Sequence, residues 1–327
     1  MKITILMANQ CSSTSVSATL EFIECANVLY QHANKTAEKT PALFEVETAS
    51  MDGLAVTCTG GLVLTPQKSL AQVQSTQLII VPGFMFNILS VLPSLSPMVS
   101  WLQDMHEQGA YIAAMCTGAF VLGQTGLLNG KQATTHWIFS EQFRRAFPRV
   151  KLQTERTITD DGMLMCSGGS TTGTDLLLHI IRKFSSPQLA TECAKKLLVD
   201  ATPRSQTPYS QNHFKKLHGD ADILKIQIFM EKRLSQSLSM EAIAAEFNLS
   251  MRNFIRRFKE ATEQTPIQYL QNLRVERAKY LLESSQEGVD QITLQVGYED
   301  ANSFRRLFKD RVGLTPSAYR KRFCNHG

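Results

Sequence analysis

The chain has 327 residues, 43% of them apolar and 19% charged, with a formal net charge of +5. That length suits about two domains, and the composition excludes a disordered or low-complexity polymer. No apolar run approaches the roughly 20 residues of a membrane span, and seven scattered cysteines with no Cys-x-x-Cys pair argue against a zinc site and for a reducing cytoplasm.

The first residues, Lys2-Ile3-Thr4-Ile5-Leu6-Met7, read as a buried strand and not as a signal peptide. A helix is expected over Ser17 to Tyr30, then strands over Phe44 to Thr48 and Leu54 to Cys58. Gln77 to Gly83 is an apolar strand ending in a turn, Met98 to Gln108 a helix, and Tyr111 to Met115 another buried strand. Alternation of this kind predicts a three-layer α/β sandwich of flavodoxin-like type, with a parallel sheet.

Ligand sites in such sheets form at the carboxyl ends of the strands. There the stretch Ala113-Ala114-Met115-Cys116-Thr117-Gly118 runs from strand through a small-residue turn into a helix, with Cys116 at the corner. That is the architecture of a nucleophile elbow with cysteine in place of serine, and the helix N-terminus favours the thiolate. His136 follows twenty residues later and Glu21 lies on the first helix.

Periodicity stops near Asp200, where two prolines with Thr, Ser and Gln predict a connecting segment over residues 196–219 between a domain at 1–195 and another at 220–327. The charge is unevenly divided. Residues 1–210 carry 15 basic and 15 acidic side chains, whereas residues 211–327 carry 19 and 14. Phosphate binding would place the excess there.

The same segment repeats itself. Phe254, Phe258, Pro266 and Tyr269 recur as Phe304, Phe308, Pro316 and Tyr319, each displaced by 50 positions. A fixed offset means one supersecondary unit used twice. Each copy reads as a short helix, a turn at Asn248-Leu249 or at Gly297, and a second helix begun by Ser250 or Asp300. Phe254, Ile255 and Phe258 are expected to face inward, as are Phe304, Leu307 and Phe308. The candidates for DNA contact are then Ser250, Arg252, Asn253, Arg256, Arg257 and Lys259 in the first copy, and Asn302, Ser303, Arg305, Arg306 and Lys309 in the second. A long helix from Ile267 to Leu282 links the copies. Two helices so joined would enter neighbouring major grooves roughly 34 Å apart.

Residues 220–323 resemble the AraC/XylS family of bacterial transcription regulators, through Gly297-Tyr298-Glu299-Asp300-Ala301-Asn302-Ser303-Phe304 and Gly313-Leu314-Thr315-Pro316. Residues 1–210 resemble the PfpI-like branch of the class I glutamine amidotransferases, and more narrowly its fusion with AraC-type domains in GlxA-like regulators. Val81-Pro82-Gly83, Cys116-Thr117-Gly118-Ala119, Thr134-Thr135-His136-Trp137, Gly173-Thr174-Asp175-Leu176 and Gln206-Thr207-Pro208-Tyr209 carry that likeness. It implies binding to a double-stranded DNA operator, an activator role exerted through RNA polymerase, a homodimer, and a pocket for a small nitrogenous metabolite lined by Glu21, Gly83, Phe84, Cys116, Thr117 and His136. No cofactor or metal is implied.

This chain departs from the catalytic relatives. No carboxylate stands two residues after His136, Thr117 takes the place of a histidine, and Phe84 that of a second glycine. Glu21, Cys116 and His136 are therefore expected to be vestiges of a catalytic set in a binding domain. The alternative is a cysteine-dependent amidase or hydrolase carrying a DNA-binding domain.

Overall fold

The computed structural model describes residues 1–34, 40–169, 171–200, 205–212 and 214–324. The chain divides into two compact units, Met1–Gln206 and Thr207–Gly327. Ala201 to Arg204 and His213, within the expected connecting segment, lie outside the described residues.

The first unit is built in the order β1 (Lys2–Met7), α1 (Ser13–Ala33), β2 (Glu45–Ser50), β3 (Val56–Thr57), β4 (Val63–Leu64), β5 (Lys68–Ser69), β6 (Leu78–Val81), α2 (Ile88–Val91), α3 (Ser96–Glu107) and β7 (Tyr111–Met115). It continues with α4 (Gly118–Gln124), β8 (Gln132–Ala133), α5 (Ser140–Ala146), β9 (Lys151–Leu152), β10 (Ile158–Asp161), β11 (Leu164–Ser167), α6 (Gly173–Phe184) and α7 (Pro187–Lys196). Seven strands make one sheet in the order β10-β11-β7-β6-β1-β2-β5, parallel except for β10 at its edge. Its centre is mainly apolar: Ile5 pairs Ile80, and Ile80 pairs Ala113. All three are buried, as strands covered by helices on both faces must be. Helices α1, α6 and α7 pack together as one layer, α3 and α4 as the other.

Two expectations need correction. The strand over Leu54 to Cys58 reduces to Val56–Thr57, which pairs antiparallel with Val63–Leu64 in a hairpin outside the main sheet. The hairpin is held against the β1–α1 turn, where Gln10 N–H donates to Thr57 O at 2.7 Å and Thr57 N–H to Asn9 Oδ1 at 2.9 Å. Helix α1 begins at Ser13, four residues before the expected Ser17. Serine and threonine disfavour helix interiors, so the run Ser12-Ser13-Thr14-Ser15 conceals the start.

The second unit is helical: α8 (Ala221–Lys232), α9 (Met240–Glu246), α10 (Met251–Thr262), α11 (Pro266–Ser284), α12 (Val289–Gln295), α13 (Ala301–Val312) and α14 (Pro316–Phe323). The caps fall where side-chain oxygens can satisfy the free N–H groups of a first turn. Ser239 accepts from Ala242, Ser250 from Asn253, and Asp300 from Asn302 and Ser303. The turns need left-handed backbone, supplied by Asn248 at φ +53° and Gly297 at φ +86°.

The repeat is structural as well as sequential. Phe258 meets Tyr269 edge-on at 5.2 Å, and 50 positions on Phe308 meets Tyr319 at 5.6 Å. Each pair anchors its own core. Helix α11 serves both, placing Tyr269, Leu270 and Leu273 in the first and Val275, Ala278 and Leu282 in the second.

Candidate functional site

At the carboxyl end of β7 the backbone turns sharply into α4. Cys116 takes φ +54°, a left-handed conformation that costs a non-glycine residue energy. Its neighbours hold it there. Cys116 N–H donates to Ser167 O at 3.0 Å, and its carbonyl accepts from Thr135 Oγ1 at 3.0 Å. The elbow also needs room: a Cβ on Gly118 would lie 2.5 Å from Pro82 O, and one on Gly83 would lie 3.2 Å from Cys116 Cβ.

The chemistry of this corner is muted. Burial pushes the Cys116 thiol up to about 11, overriding the opposing pull of the Thr117 N–H and hydroxyl. Burial also lowers the pKa of His136, whose Nδ1 accepts from Ile138 N–H at 3.2 Å and so caps a short turn. Among the described residues no hydrogen bond joins Cys116 Sγ to His136. Thr117 is fully buried, and its Oγ1 accepts from Phe84 N–H at 2.8 Å, so that amide is already engaged. The Phe84 ring lies in the core, 1% exposed.

Glu21 is not at the elbow. It is exposed, two turns along α1, on a face away from Val16, Thr19 and Ile23. The α1 side chain nearest the corner is Ser15, whose Oγ accepts from Gly83 N–H at 3.3 Å. The structure thus gathers Gly83, Phe84, Cys116 and Thr117 around one turn, ties Thr135, the residue before His136, to it, and leaves Glu21 outside.

A cleft of about 340 Å³ opens beside the elbow, at the N-terminal ends of α1 and α6, and none of the expected lining residues Glu21, Gly83, Phe84, Cys116, Thr117 and His136 lines it; Met115, one residue before the corner, does. Thr14, Ser15 and Thr174 give it hydroxyls; Ala18, Met115 and Leu177 give it apolar walls. Sequence reasoning missed these residues. The signals were present in the polar run before α1 and in the small residues Gly173-Thr174, where Gly173 lets Met115 Sδ approach to 3.5 Å of a would-be Cβ.

The second unit offers a different surface. On α10, Arg252, Ile255, Arg256 and Lys259 fall at i, i+3, i+4 and i+7 and are all exposed, forming one stripe. Fifty positions on, Asn302, Arg305, Arg306 and Lys309 form its counterpart on α13. Ile255 is thus not inward, as its apolar side chain suggested, but 41% exposed.

Several expected contact residues are engaged inside the unit. Arg257 is half-buried, at the position matched by half-buried Leu307; its Nε and Nη2 donate to Asp220 at 3.0 and 2.7 Å, and Nη2 reaches Asp222 at 3.2 Å. Ser250 Oγ is occupied as a cap. Arg305 is exposed but pairs with Asp290 at 2.6 Å. Arg256, also exposed, pairs with Glu260 at 2.8 Å, an exposed ion pair that a phosphate can displace at little cost. Among the described residues no helix is long and apolar enough to cross a membrane, and no cluster of ligating side chains could hold a metal ion.

These geometries match known proteins. Residues 1–183 fit the model of the DJ-1/PfpI family, and residues 243–322 that of a helix-turn-helix domain. The HTH-type transcriptional regulator CdhR of Pseudomonas aeruginosa is 26% identical over 84% of this chain and 81% of its own length. GbdR, an HTH-type transcriptional regulator of the same species, is 26% identical over 84% of this chain and 74% of its own. The crystal structure of Drosophila melanogaster DJ-1beta, 23% identical, superposes with a TM-score of 0.51 over 61% of this chain and 98% of its own, a likeness of fold alone. The chain belongs to the DJ-1/PfpI family and carries behind that domain an AraC-type helix-turn-helix domain.

Proposed function

We propose that this protein is a transcription regulator that binds a double-stranded DNA operator through α10 and α13 and senses a small nitrogenous metabolite through its DJ-1/PfpI domain. The observation that carries the first half is the pair of exposed, mainly cationic stripes at equal spacing on two helices braced by one shared helix. A helix fits the major groove, and its exposed Arg and Lys find base edges and phosphates. Names of the relatives that span most of the chain, CdhR and GbdR, support the regulatory role.

The sensing half is supported by the elbow and its cleft. A protonated thiol, a histidine not bonded to it, an absent carboxylate and an engaged Phe84 amide favour binding over turnover. The cleft suits a small molecule with an apolar body; the first turns of α1 and α6 in its lining suit a carboxylate, and Asp200 in the same lining suits a cationic nitrogen. Amino acids and quaternary-ammonium acids have that chemistry. The ligand acts by binding one arrangement of the protein more tightly than another. Cytoplasmic location, a homodimer and activation through RNA polymerase belong to the same proposal and rest on the resemblance to AraC-type regulators.

The test has two arms. Sites selected from a random duplex pool should bind the full chain specifically, with log affinity falling linearly with log salt. A thermal-shift screen of amino acids and quaternary-ammonium acids should raise the melting temperature, and the same compound should change operator affinity. Turnover of an amide by pure protein, lost in Cys116→Ser, would instead establish the hydrolase alternative.

A further inference from the structure

The two recognition stripes are alike in backbone and burial and differ in side chain at their first position, Arg252 against Asn302, and at one central position. Ile255 and its counterpart Arg305 are both exposed, and their neighbours Arg256 and Arg306, Lys259 and Lys309 are the same residue types. Ile255 is the single apolar side chain among the four residues of its stripe, at its middle, with cationic groups on either side.

We propose that Ile255 contacts the 5-methyl group of a thymine and thereby sets part of the base preference of the first helix-turn-helix. The inference rests on the DNA-binding role of α10. In the major groove each base edge presents hydrogen-bonding atoms, and the thymine methyl is the apolar feature that an isoleucine can match. The flanking cations fix the occupant of this surface as a polyanion: a protein partner that wanted Ile255 would have to bury Arg252, Arg256 and Lys259 beside it. Arg305 at the matched position offers hydrogen-bond donors, which suit guanine. The two half-sites of the operator therefore differ at the base pair that this position reaches, although the two protein halves are repeats.

The experiment uses the full chain and a site selected from a random duplex pool. Each thymine is replaced singly by deoxyuridine, which removes only the methyl, and affinity is measured at fixed salt. One thymine in the half-site bound by α10 should be sensitive, its replacement weakening binding about four-fold, the effect of returning one methyl group to water. Ile255→Ala should bind more weakly and lose that sensitivity, while Ile255→Arg should shift the selected base at that position towards guanine. Ile255 is exposed, so neither variant threatens folding. The proposal is overturned if no thymine is sensitive, or if the same thymine stays equally sensitive in Ile255→Ala. A chain that selects no sequence at all overturns the DNA-binding role beneath it.

Discussion

The guanidinium of Arg274 lies 5.0 Å from the ring centre of Tyr298 and donates to the carbonyls of Leu234 and Gln236, each at 2.8 Å. Arg274 stands on α11, Tyr298 in the turn of the second helix-turn-helix, and the two carbonyls after α8 of the first. One side chain therefore joins both halves of the reading head. Gly297 makes space for it, since a Cβ there would meet Leu234 O at 2.7 Å and Arg274 Nη2 at 2.9 Å. Arg274→Met keeps the bulk and removes the donors. It should cost about 2 kcal/mol in chemical denaturation of the full chain and should weaken operator binding beyond that loss. Unchanged stability would show that the joint is held elsewhere.

Arg306 and Arg257 should respond in opposite ways. Arg306 is exposed on the α13 stripe, so Arg306→Ala should weaken operator binding and leave the melting temperature in place. If it meets a phosphate, the salt slope falls by about one; if it meets a base, specificity relaxes by about 1–3 kcal/mol at one position. Arg257 is tied to Asp220, whose carboxyl that hydrogen bond holds below the usual carboxylate range. Arg257→Ala should lower stability, and more at neutral pH than in acid. The depressed carboxyl contributes stability above its unfolded pKa of about 4 and loses it as pH falls through the folded value. Equal effects of the two substitutions on melting and on binding would refute this division of roles.

Cys116 should be slow to react. With its thiol up to about 11, on the order of one molecule in ten thousand carries a thiolate near pH 7. Alkylation of native protein should be negligible there and rise about tenfold per pH unit until the thiol titrates. Mass spectrometry of iodoacetamide-treated protein measures this; rapid labelling of Cys116 at neutral pH would revive the enzymatic alternative. Cys116→Ala should leave basal operator binding intact.

His136 gives the first unit a pH dependence of definite sign. Burial lowers its folded pKa below the unfolded value of about 6.5. Below that pH the unfolded chain binds the proton first, so stability falls as pH drops through about 6.5 and levels off once the folded histidine is protonated. His136→Gln should flatten this part of the profile. Superimposable pH–stability curves for the two proteins would contradict it.

Gln206 is a fifth test. Its buried amide reaches the carbonyls of Thr135, Thr154 and Arg156 at 2.9–3.0 Å and accepts from Trp137 N–H at 3.2 Å. The next residue, Thr207, opens the helical unit, where Arg322 holds Tyr209 Oη at 2.6 Å. Gln206→Leu should destabilise the first unit by about 1–3 kcal/mol through the polar groups left unsatisfied. It should also reduce any metabolite effect on operator affinity, since it loosens the loop that carries Thr135 and His136. A full metabolite response in this variant would exclude Gln206 from the coupling.

What could be read from the residues follows from how each signal is encoded. The duplicated unit was legible because a constant offset survives substitution: Phe254, Phe258 and Tyr269 recur whatever lies between them. The apolar strands Leu78–Val81 and Tyr111–Met115 were legible because both faces of a central parallel strand are covered. Ile255 misled because apolarity normally signals the interior, and its helical phase, three residues before Phe258 and one after Phe254, needed the coordinates to resolve. Strands β10 and β11 escaped because each has four residues and because Asp160 and Asp161, residue types that usually mark turns, lie inside β10. Glu21 was misplaced along with the start of α1. The cleft was hidden because small hydroxyl residues such as Thr14 and Thr174 are common everywhere and acquire meaning only when the fold brings them together.

Helix α11 has 19 residues, about 28 Å of rod, and its two ends are sunk in separate cores. Inserting or deleting one residue within it would swing the far half by about 100°. Genomic targets must therefore preserve a constant phase between the sequences that the halves touch. Divergence of this lineage towards new promoters can proceed by swapping side chains on the stripes, whereas changes in the length of the rod are closed to it.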